Sequence, residues 1–310
     1  MKNLFKIALL LVVVTTFLGC PSDDEGITII ADRPYEEVYL EDIAEIEEFL
    51  QTHYATVDSE YNVTFTQIPE GGTQQPVWDM PELVRDYEVE LHDLTYKVYY
   101  LNLREGSGEN ITRVDSSFVS YKGFVFNKTT TDNIDTFNQT VFDNKQLPIW
   151  LSLDEVIKGW AEIIPNFKTG TYTAMSDGAI SYGNFGAGVM FLPSGLAYFS
   201  SGTLVIPSYA PTIFTFKLHN LRRRDHDNDG ILSMYEYGDF SDPDRFKKDP
   251  IDTDGDGRPD YIDVDDDGDG KLTRKEIAIP DTDPIQYYDF LSIPICGTTG
   301  KKVHLTSECR

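Results

Sequence analysis

The stretch Val156-Ile157-Lys158-Gly159-Trp160 determines how the rest of this sequence is interpreted. It follows a strand-like run at 149–153 and opens a helical pattern. Asp154 and Glu155 fall in the expected first turn of that helix, where the helix dipole favours anions. An indole and two β-branched side chains at such a junction can form the floor and wall of an apolar pocket. The same five residues are equally compatible with ordinary core packing, so the flanking sequence has to decide.

The flanking sequence contains further motifs in a fixed order. A strand ending in Tyr121-Lys122-Gly123 is followed by Val141-Phe142-Asp143, and a later run closes with Leu196-Ala197-Tyr198. Val205-Ile206-Pro207 then leads into a strand-like run at 212–218. Together with 156–160, these motifs resemble the FKBP family of peptidyl-prolyl isomerases over residues 94–221. The resemblance implies an α+β fold, in which a small antiparallel sheet wraps around one short helix.

The resemblance also implies a pocket that binds and isomerises X–Pro bonds. In this pocket the indole of Trp160 would lie beneath the proline ring, and Tyr198 would donate a hydrogen bond to a substrate carbonyl. Asp143 would either orient Tyr121 or face the carbonyl carbon as the bond twists, and both roles remain open. Carried over position by position, the implied pocket residues are Tyr121, Phe142, Asp143, Val156, Ile157, Trp160, Tyr198, Ile206 and Phe214.

Three departures distinguish this sequence from the family pattern. Residues 124–140 lengthen the segment before Phe142, and 171–188 add a stretch rich in Gly, Ser and Tyr after the helix. Phe199 follows Tyr198 where the family usually has glycine. None of the three removes a pocket residue, but Phe199 is expected to alter the loop over the pocket.

The N-terminus resembles a bacterial lipoprotein signal. Two lysines precede an apolar run at 7–17, which ends at Leu18-Gly19-Cys20. We therefore expect a signal peptide at 1–19, a lipidated Cys20 that attaches the protein to a membrane, and a tether at 20–38. The location expected is the cell envelope, at the outer membrane, on its periplasmic or surface face. Residues 39–93 are expected to form a helix and a strand that pack on the next domain or mediate dimer contacts.

Charge is distributed unevenly along the chain. The sequence has 52 Asp and Glu against 26 Lys and Arg, a net charge of −26, which argues against a nucleic-acid partner. Between 225 and 289 there are 21 acidic and 7 basic residues. This concentration predicts a separate acidic module at 222–289.

Within that module, three segments match the twelve-residue calcium loop, with acidic residues at positions 1, 3, 5 and 12 and glycine at position 6. The carbonyl at position 7 and the side chain at position 9 are further oxygen donors in this pattern. Around 252–270 the pattern also resembles thrombospondin type 3 repeats. We predict bound Ca²⁺ with a structural role. The candidate ligands are Asp225, Asp227, Asp229, Ile231, Ser233 and Glu236; Asp252, Asp254, Asp256, Arg258, Asp260 and Asp263; and Asp265, Asp267, Asp269, Lys271, Thr273 and Glu276.

Two cysteines lie close to the C-terminus, in the tail at 290–310. Because the protein is expected to be exported, Cys296 and Cys309 are predicted to form a disulfide. Such a bond would stabilise a tail that has little apolar content of its own.

These observations favour a lipid-anchored prolyl isomerase that acts on proline-containing, unfolded or exported polypeptides. One alternative is a binding or chaperone protein that uses the same pocket with little catalysis. A second alternative is a structural or adhesive surface lipoprotein in which the calcium repeats are the working part. A proline-limited refolding assay distinguishes the first interpretation from the other two.

Overall fold

The computed structural model describes residues 31–131, 134–242 and 244–309, and they form an α+β fold, as the sequence predicts. The expected signal peptide and Cys20 lie outside these residues. The α-helices are α1 (Tyr35–Thr52), α2 (Lys158–Ile163), α3 (Ser233–Glu236) and α4 (Thr273–Glu276). The strands are β1 (His53–Val57), β2 (Val63–Gln67), β3 (Leu83–Leu91), β4 (Leu94–Arg104), β5 (Ser116–Thr131), β6 (Ile134–Ser152), β7 (Thr171–Ala174), β8 (Ile180–Gly183), β9 (Gly186–Leu192) and β10 (Thr212–Arg222).

Short 3₁₀ helices connect several of these elements. They are Val77–Asp79, Ile164–Asn166, Ser194–Leu196, Phe199–Ser201, Arg245–Lys247, Asp260–Ile262, Phe290–Ser292 and Val303–Leu305. Within the described ranges, no helix has both the length and the apolar character needed to cross a bilayer.

Six of the strands form one antiparallel sheet in the order β3-β4-β9-β10-β5-β6. Two smaller hairpins, β1–β2 and β7–β8, lie outside it. Because β3 pairs with β4, the sheet begins at Leu83, and the domain boundary expected at residue 94 falls inside it. The N-terminal segment and the FKBP-like segment therefore share one sheet.

One face of the sheet packs against α2. Trp160 and Ile163 from the helix are buried with Phe214 and Phe216 of β10 and Leu192 of β9. Because side chains alternate across a strand, every second residue of these strands points to this core. A helix of six residues has no stability of its own in water, so burial of its apolar side chains must hold it in place.

The opposite face of the sheet is covered by α1 and the β1–β2 hairpin. Phe49 of α1 and Phe65 of β2 are buried against Phe124, Phe191 and Ile213 of the sheet. The helix starts at Tyr35, so the last residues of the predicted tether at 20–38 already belong to it. Of the two roles expected for this helix, packing on the next domain is the one that the structure shows.

A buried polar contact fixes α1 to the segment that leads into Tyr198. The carboxylate of Asp42, only 2% exposed, accepts hydrogen bonds from the backbone N–H of Ser194 at 2.7 Å and from its hydroxyl at 2.6 Å. One side chain thus satisfies two donors that are removed from water, and it aligns α1 with this segment.

The acidic module has a small apolar core of its own. Ile231 of the first acidic loop and Ile277, which directly follows the third, pack with Ile293 of the tail. The tail is closed by the predicted disulfide, with the Cα atoms of Cys296 and Cys309 5.6 Å apart. The apolar core is small for a segment of this length, which leaves much of the module's stability to its polar groups.

Asp42→Ala should destabilise the protein by about 2 kcal/mol, because it leaves two buried donors of Ser194 without an acceptor. Asp42→Asn should lose much less stability, because the amide oxygen of asparagine can accept both hydrogen bonds. Urea denaturation followed by circular dichroism measures both variants. Equal losses in the two variants would show that the negative charge, and not the acceptor, is what the site requires.

Candidate functional site

The pocket helix begins later than the sequence pattern suggests. Strand β6 ends at Ser152, and α2 begins at Lys158, so Asp154 and Glu155 lie in the preceding turn and not in the first helical turn. The turn is held by hydrogen bonds from Leu153 N–H to the carbonyl of Asp115 and from Glu155 N–H to that of Ser152. Because of these contacts, α2 begins only at Lys158.

Gly159 allows α2 to approach the sheet closely. A Cβ atom on this residue would lie 2.5 Å from the side chain of Leu192. The backbone of the helix therefore rests directly on β9, and the next residue, Trp160, enters the core beside it.

Between α2 and the sheet is a cavity of about 260 Å³ with an aromatic floor. Seven of the nine predicted pocket residues line it, although they come from five separate segments of the sequence. They are Tyr121, Asp143, Val156, Ile157, Trp160, Tyr198 and Phe214, and Leu151 and Glu155 complete the wall.

The floor of this cavity is an aromatic cluster around Trp160. The indole meets the ring of Tyr121 edge-on at a centroid distance of 5.1 Å and that of Phe214 at 5.4 Å. Gly123 makes room for the cluster, because a Cβ there would lie 2.7 Å from the rings of both Phe142 and Phe214. The rings are locked against each other, which makes the floor rigid.

The two remaining predicted residues do not line the cavity. Phe142 lies next to it, with its ring edge-on to those of Tyr198 and Phe214 at 5.9 and 5.4 Å, and so supports the wall from behind. Ile206 is buried in a turn, where its N–H donates to the hydroxyl of Thr203 at 2.9 Å. Phe142 lies in strand β6, where the pairing register with β5 shifts, and Ile206 lies in a turn, so the two side chains leave the cavity surface for different reasons.

Leu151 and Glu155 are the lining residues that the sequence analysis missed. Both flank the stretch 156–160 within five residues of Val156. Their closeness to that stretch was the available signal, but nothing in their residue types indicates which face of the chain they occupy.

Asp143 is held by hydrogen bonds at the edge of the cavity. Its carboxylate accepts a hydrogen bond from the Tyr121 hydroxyl at 2.6 Å and lies 3.0 Å from the ammonium of Lys145. Partial burial acts to raise the pKa of Asp143, but the Tyr121 hydrogen bond and the Lys145 charge outweigh it, so the pKa is lowered. Asp143 is therefore ionised at neutral pH, and its contact with Tyr121 orients the phenol.

Burial raises the pKa of two tyrosines in the cavity. For Tyr121 the hydrogen bond to Asp143 adds to this effect, and for Tyr198 the nearby charge of Asp143 does. Both phenols keep their protons at neutral pH, so each can act as a hydrogen-bond donor.

Phe199 adopts an unusual backbone conformation beside the cavity. Its φ angle is 45°, in the left-handed region that favours glycine, which is the residue the family usually has at this position. The ring stacks on that of Tyr35 of α1 at a centroid distance of 4.0 Å and meets that of Tyr209 edge-on at 5.0 Å. These ring contacts offset the backbone strain and attach the loop after Tyr198 to the start of α1.

The added stretch at 171–188 forms the β7–β8 hairpin and the start of β9. Its Tyr182 packs against Phe118 and His219 at centroid distances of 5.6 and 5.7 Å. Phe118 is adjacent to Val119, which belongs to the core beneath Trp160, and points away from that core. The hairpin therefore packs on the face of the sheet opposite the cavity.

A larger groove of about 440 Å³ has a different chemical character. It is lined mainly by polar residues, including Lys122, Lys145 and Lys217, and it shares Tyr121 with the aromatic cavity. The Lys217 ammonium donates to the side chain of Asn62 at 2.8 Å. We regard the smaller cavity as the candidate site because it alone of the two has an apolar floor and convergent polar groups.

The three acidic loops share one hydrogen-bond pattern. The position-1 carboxylate accepts from the glycine N–H at position 6, the position-3 carboxylate from the N–H at position 5, and the position-5 carboxylate from the N–H at position 7. In the first and third loops each of these carboxylates uses one oxygen to shape the loop, whereas Asp252 of the second loop accepts backbone hydrogen bonds with both of its oxygens.

Several carboxylate oxygens of the loops are buried without a hydrogen-bond partner in the part of the chain that the structure describes. They include Oδ1 of Asp225, Oδ2 of Asp229, both side-chain oxygens of Glu236 and one of Glu276. Burial, followed by repulsion from Asp229, raises the pKa of Glu236 to about 11. Buried carboxylate oxygens that converge without donors fit a hard divalent cation such as Ca²⁺.

The predicted ligands group by loop. Carboxylates converge in the sets Asp225, Asp227 and Asp229; Asp252, Asp254 and Asp256; and Asp265, Asp267 and Asp269. The second set is exposed, unlike the other two. The carbonyl donors predicted at Ile231, Arg258 and Lys271 follow in each loop, and their role as ligands stays a prediction.

The side chains at position 9 have a structural contact in each loop. Ser233, Asp260 and Thr273 accept the N–H of the residue at position 2, at 3.1, 2.7 and 3.1 Å. In the second loop, Asp263 closes the pattern and accepts the N–H of Asp265 at 3.0 Å. Metal ligation by these four side chains also stays a prediction.

The first acidic loop contacts the segment before α2. The imidazole Nε2 of His226 lies 3.0 Å from Oδ2 of Asp154, and its ring meets Tyr261 edge-on. Tyr261 also lines a gap of about 230 Å³ that is bordered by Val156, a wall residue of the aromatic cavity. The acidic module therefore rests against the back of the candidate site.

Comparison with known proteins gives different matches for the two parts of the chain. A family model described as BamM C-terminal matches residues 226–302, which contain the three acidic loops. No curated protein shows significant similarity to the sequence.

Among solved structures, a peptidyl-prolyl cis-trans isomerase from Pseudomonas syringae pv. tomato strain DC3000 is 18% identical, with a TM-score of 0.36, over 63% of this chain and 100% of that one. FkpA from Escherichia coli is 20% identical, with a TM-score of 0.34, over 61% of this chain and 62% of that one. The N-terminal domain of FKBP42 from Arabidopsis thaliana is 21% identical, with a TM-score of 0.29, over 44% and 93%. At such TM-scores the likeness carries no conclusion about activity, which has to be argued from the site.

Proposed function

We propose that this chain is a peptidyl-prolyl cis-trans isomerase that acts on X–Pro bonds of exported polypeptides. The observation that carries the proposal is the aromatic cavity, in which residues from five segments of the sequence surround the indole of Trp160. Core packing alone would not leave a cavity of about 260 Å³ above a buried tryptophan.

The cavity supplies what rotation about a prolyl bond requires. The barrier, about 20 kcal/mol, comes from amide resonance that is lost in the twisted state, so the reaction needs no nucleophile or proton transfer. A catalyst has to bind the twisted amide better than either planar form. A dry aromatic site does so because the twisted amide is less polar and tolerates the loss of water better.

Each polar group of the cavity has a place in this scheme. The proline ring would rest on Trp160, and the protonated phenol of Tyr198 would donate to a substrate carbonyl. The carboxylate of Asp143 would act through Tyr121, to which it is hydrogen-bonded at 2.6 Å. This geometry favours the orienting role over direct contact with the substrate.

A second candidate function is binding with little catalysis. It is favoured by Phe199, because a bulky residue at a φ of 45° and stacked on Tyr35 restrains the loop beside the cavity. A restrained loop would slow release of a bound segment. The refolding assay below distinguishes the two functions.

We further propose that the acidic loops bind Ca²⁺ and that the protein is an envelope lipoprotein, anchored at the outer membrane through Cys20. The buried, donor-free carboxylate oxygens support the first of these statements. The cation would supply positive charge to loops that otherwise repel themselves, and binding would add to the folding free energy of a module with a small core.

Trp160→Ala should lower the rate of proline-limited refolding catalysed by the protein roughly tenfold or more, which corresponds to about 1.4 kcal/mol of transition-state stabilisation. Tyr198→Phe should have a smaller effect in the same direction, because it removes one donor and keeps the ring. The matched control is Tyr172→Phe, on the β7–β8 hairpin of the opposite face, which should leave the rate unchanged. A folded wild-type protein that does not accelerate the reaction at micromolar concentration would leave only the binding function.

Asp143→Asn and Tyr121→Phe should lower this activity to a similar extent, and the double variant should be no worse than either single one. Residues that act through one hydrogen bond show such non-additivity in a double-mutant cycle. Lys145→Gln, which removes the other partner of Asp143, serves as the comparison. Additive losses would instead assign Asp143 a direct contact with substrate.

The acidic module should respond to pH in opposite ways with and without calcium. Burial raises the pKa of Asp229 to about 6 and that of Glu276 to about 7, so the folded module binds these protons more tightly than the unfolded chain. In EDTA its stability should therefore be greatest below pH about 4 and fall as pH rises through 6 to 7. With calcium, which competes with protons for the same oxygens, stability should rise over that range.

Limited proteolysis of residues 225–289 at pH 5 and pH 8, in EDTA and in calcium, measures this dependence. Magnesium at the same concentration is the control for ionic strength, and it should protect the module less. Equal cleavage at the two pH values in EDTA would contradict the expected titration, and equal cleavage with and without calcium would contradict calcium binding.

A further inference from the structure

One buried acidic residue of the module has no role in its own loop. Asp266 occupies position 2 of the third loop, where the first two loops have His226 and Thr253. Its backbone N–H donates to the hydroxyl of Thr273 at position 9, and the position-2 N–H makes the same kind of hydrogen bond in the other two loops. This contact does not involve the side chain of Asp266. The calcium-loop pattern does not require an acid at this position.

The side chain of Asp266 points into the first loop. Its ligand atom lies within 4.8 Å of carboxylate oxygens of both Asp227 and Glu236. These two residues stand at positions 3 and 12 of the first loop, and both positions supply ligands in the calcium-loop pattern. A residue some 40 positions away in the chain therefore enters this site.

Asp266 also has no hydrogen-bond donor to compensate its charge. It is 2% exposed, and neither carboxylate oxygen has a hydrogen-bond partner among the described residues. The nearest basic group is the imidazole of His304, whose Nε2 lies 4.0 Å from Oδ2, beyond hydrogen-bond distance. A buried carboxylate next to two others is strongly unfavourable unless a cation lies between them.

We propose that Asp266 is a ligand of the metal ion held by the first loop, so that residues of two loops bind this ion. The inference rests on the proposed binding of calcium and goes beyond it, because it assigns a ligand that the loop pattern does not contain. The first and third loops could then not bind calcium or fold independently of each other. Loss of the first ion would release the third loop from its neighbour.

Calcium titration of the full chain by isothermal calorimetry tests the proposal. Asp266→Asn should weaken one binding event about tenfold or more, a loss of the size seen when groups around a metal are removed. Asp281→Asn is the matched control, because it removes one exposed negative charge outside the clusters at a positive φ that asparagine tolerates. This variant should bind calcium as the wild type does.

Two parent variants, each with one loop disabled, identify the loop whose ion Asp266 binds. Glu236→Gln disables the first loop, so adding Asp266→Asn to this variant should not weaken calcium binding further. Glu276→Gln disables the third loop, and adding Asp266→Asn to that variant should still weaken calcium binding. The reverse pattern would assign Asp266 to its own loop and overturn the proposal. One ion more than the number of loops would show a separate site, which also overturns it. If the wild type binds no calcium, the proposed function of the module fails as well, so the two failures are distinguishable.

A measurement on the wild type covers the case in which Asp266→Asn does not fold, as judged by near-ultraviolet circular dichroism. A calcium-loaded crystal structure, with the ions located by anomalous scattering, should place Asp266 within about 2.3–2.6 Å of the ion in the first loop. An ion in that loop that does not contact Asp266 would overturn the proposal.

Discussion

Burial of Trp160 is the interaction on which the candidate site depends. Helix α2 has six residues and cannot persist alone, so its position comes from the indole, which is packed among Tyr121, Phe214 and Phe216. Gly159 completes the arrangement by letting the helix backbone touch β9. The same side chain thus anchors the helix and forms the floor of the cavity, so stability and the proposed activity cannot be separated at this position.

The acidic module depends on charged groups, whereas the sheet domain depends on the burial of apolar side chains. Its core consists of a few isoleucines, while many carboxylates turn oxygens inward without donors. The contact of His226 with Asp154 connects this module to the turn before α2, and Val156 borders both the cavity and the gap behind it. The proposed cation site in the first loop is therefore physically adjacent to a wall of the proposed isomerase site.

The sequence was most informative in the short segments whose residues also line the candidate site. The order of short motifs, through its resemblance to a known family, predicted the α+β class and seven of the residues that line the cavity, whereas Phe142 and Ile206 do not line it. Nonlocal features could not be predicted: strand β3 joins the sheet through pairing with β4, and the side chain of Asp266 enters a distant loop. The start of α2 was also predicted too early, because a long-range hydrogen bond to Asp115 and a local one to Ser152 hold the preceding turn.

Strand β10 connects the two cores through its alternation. Phe214 and Phe216 face α2, whereas Ile213, the neighbour of Phe214, faces α1. Deletion or insertion of one residue in this strand would exchange the two sets of side chains and disrupt both cores at once. We therefore expect this domain to tolerate changes in length only at hairpin ends and in loops, such as the ends of the β5–β6 and β7–β8 hairpins.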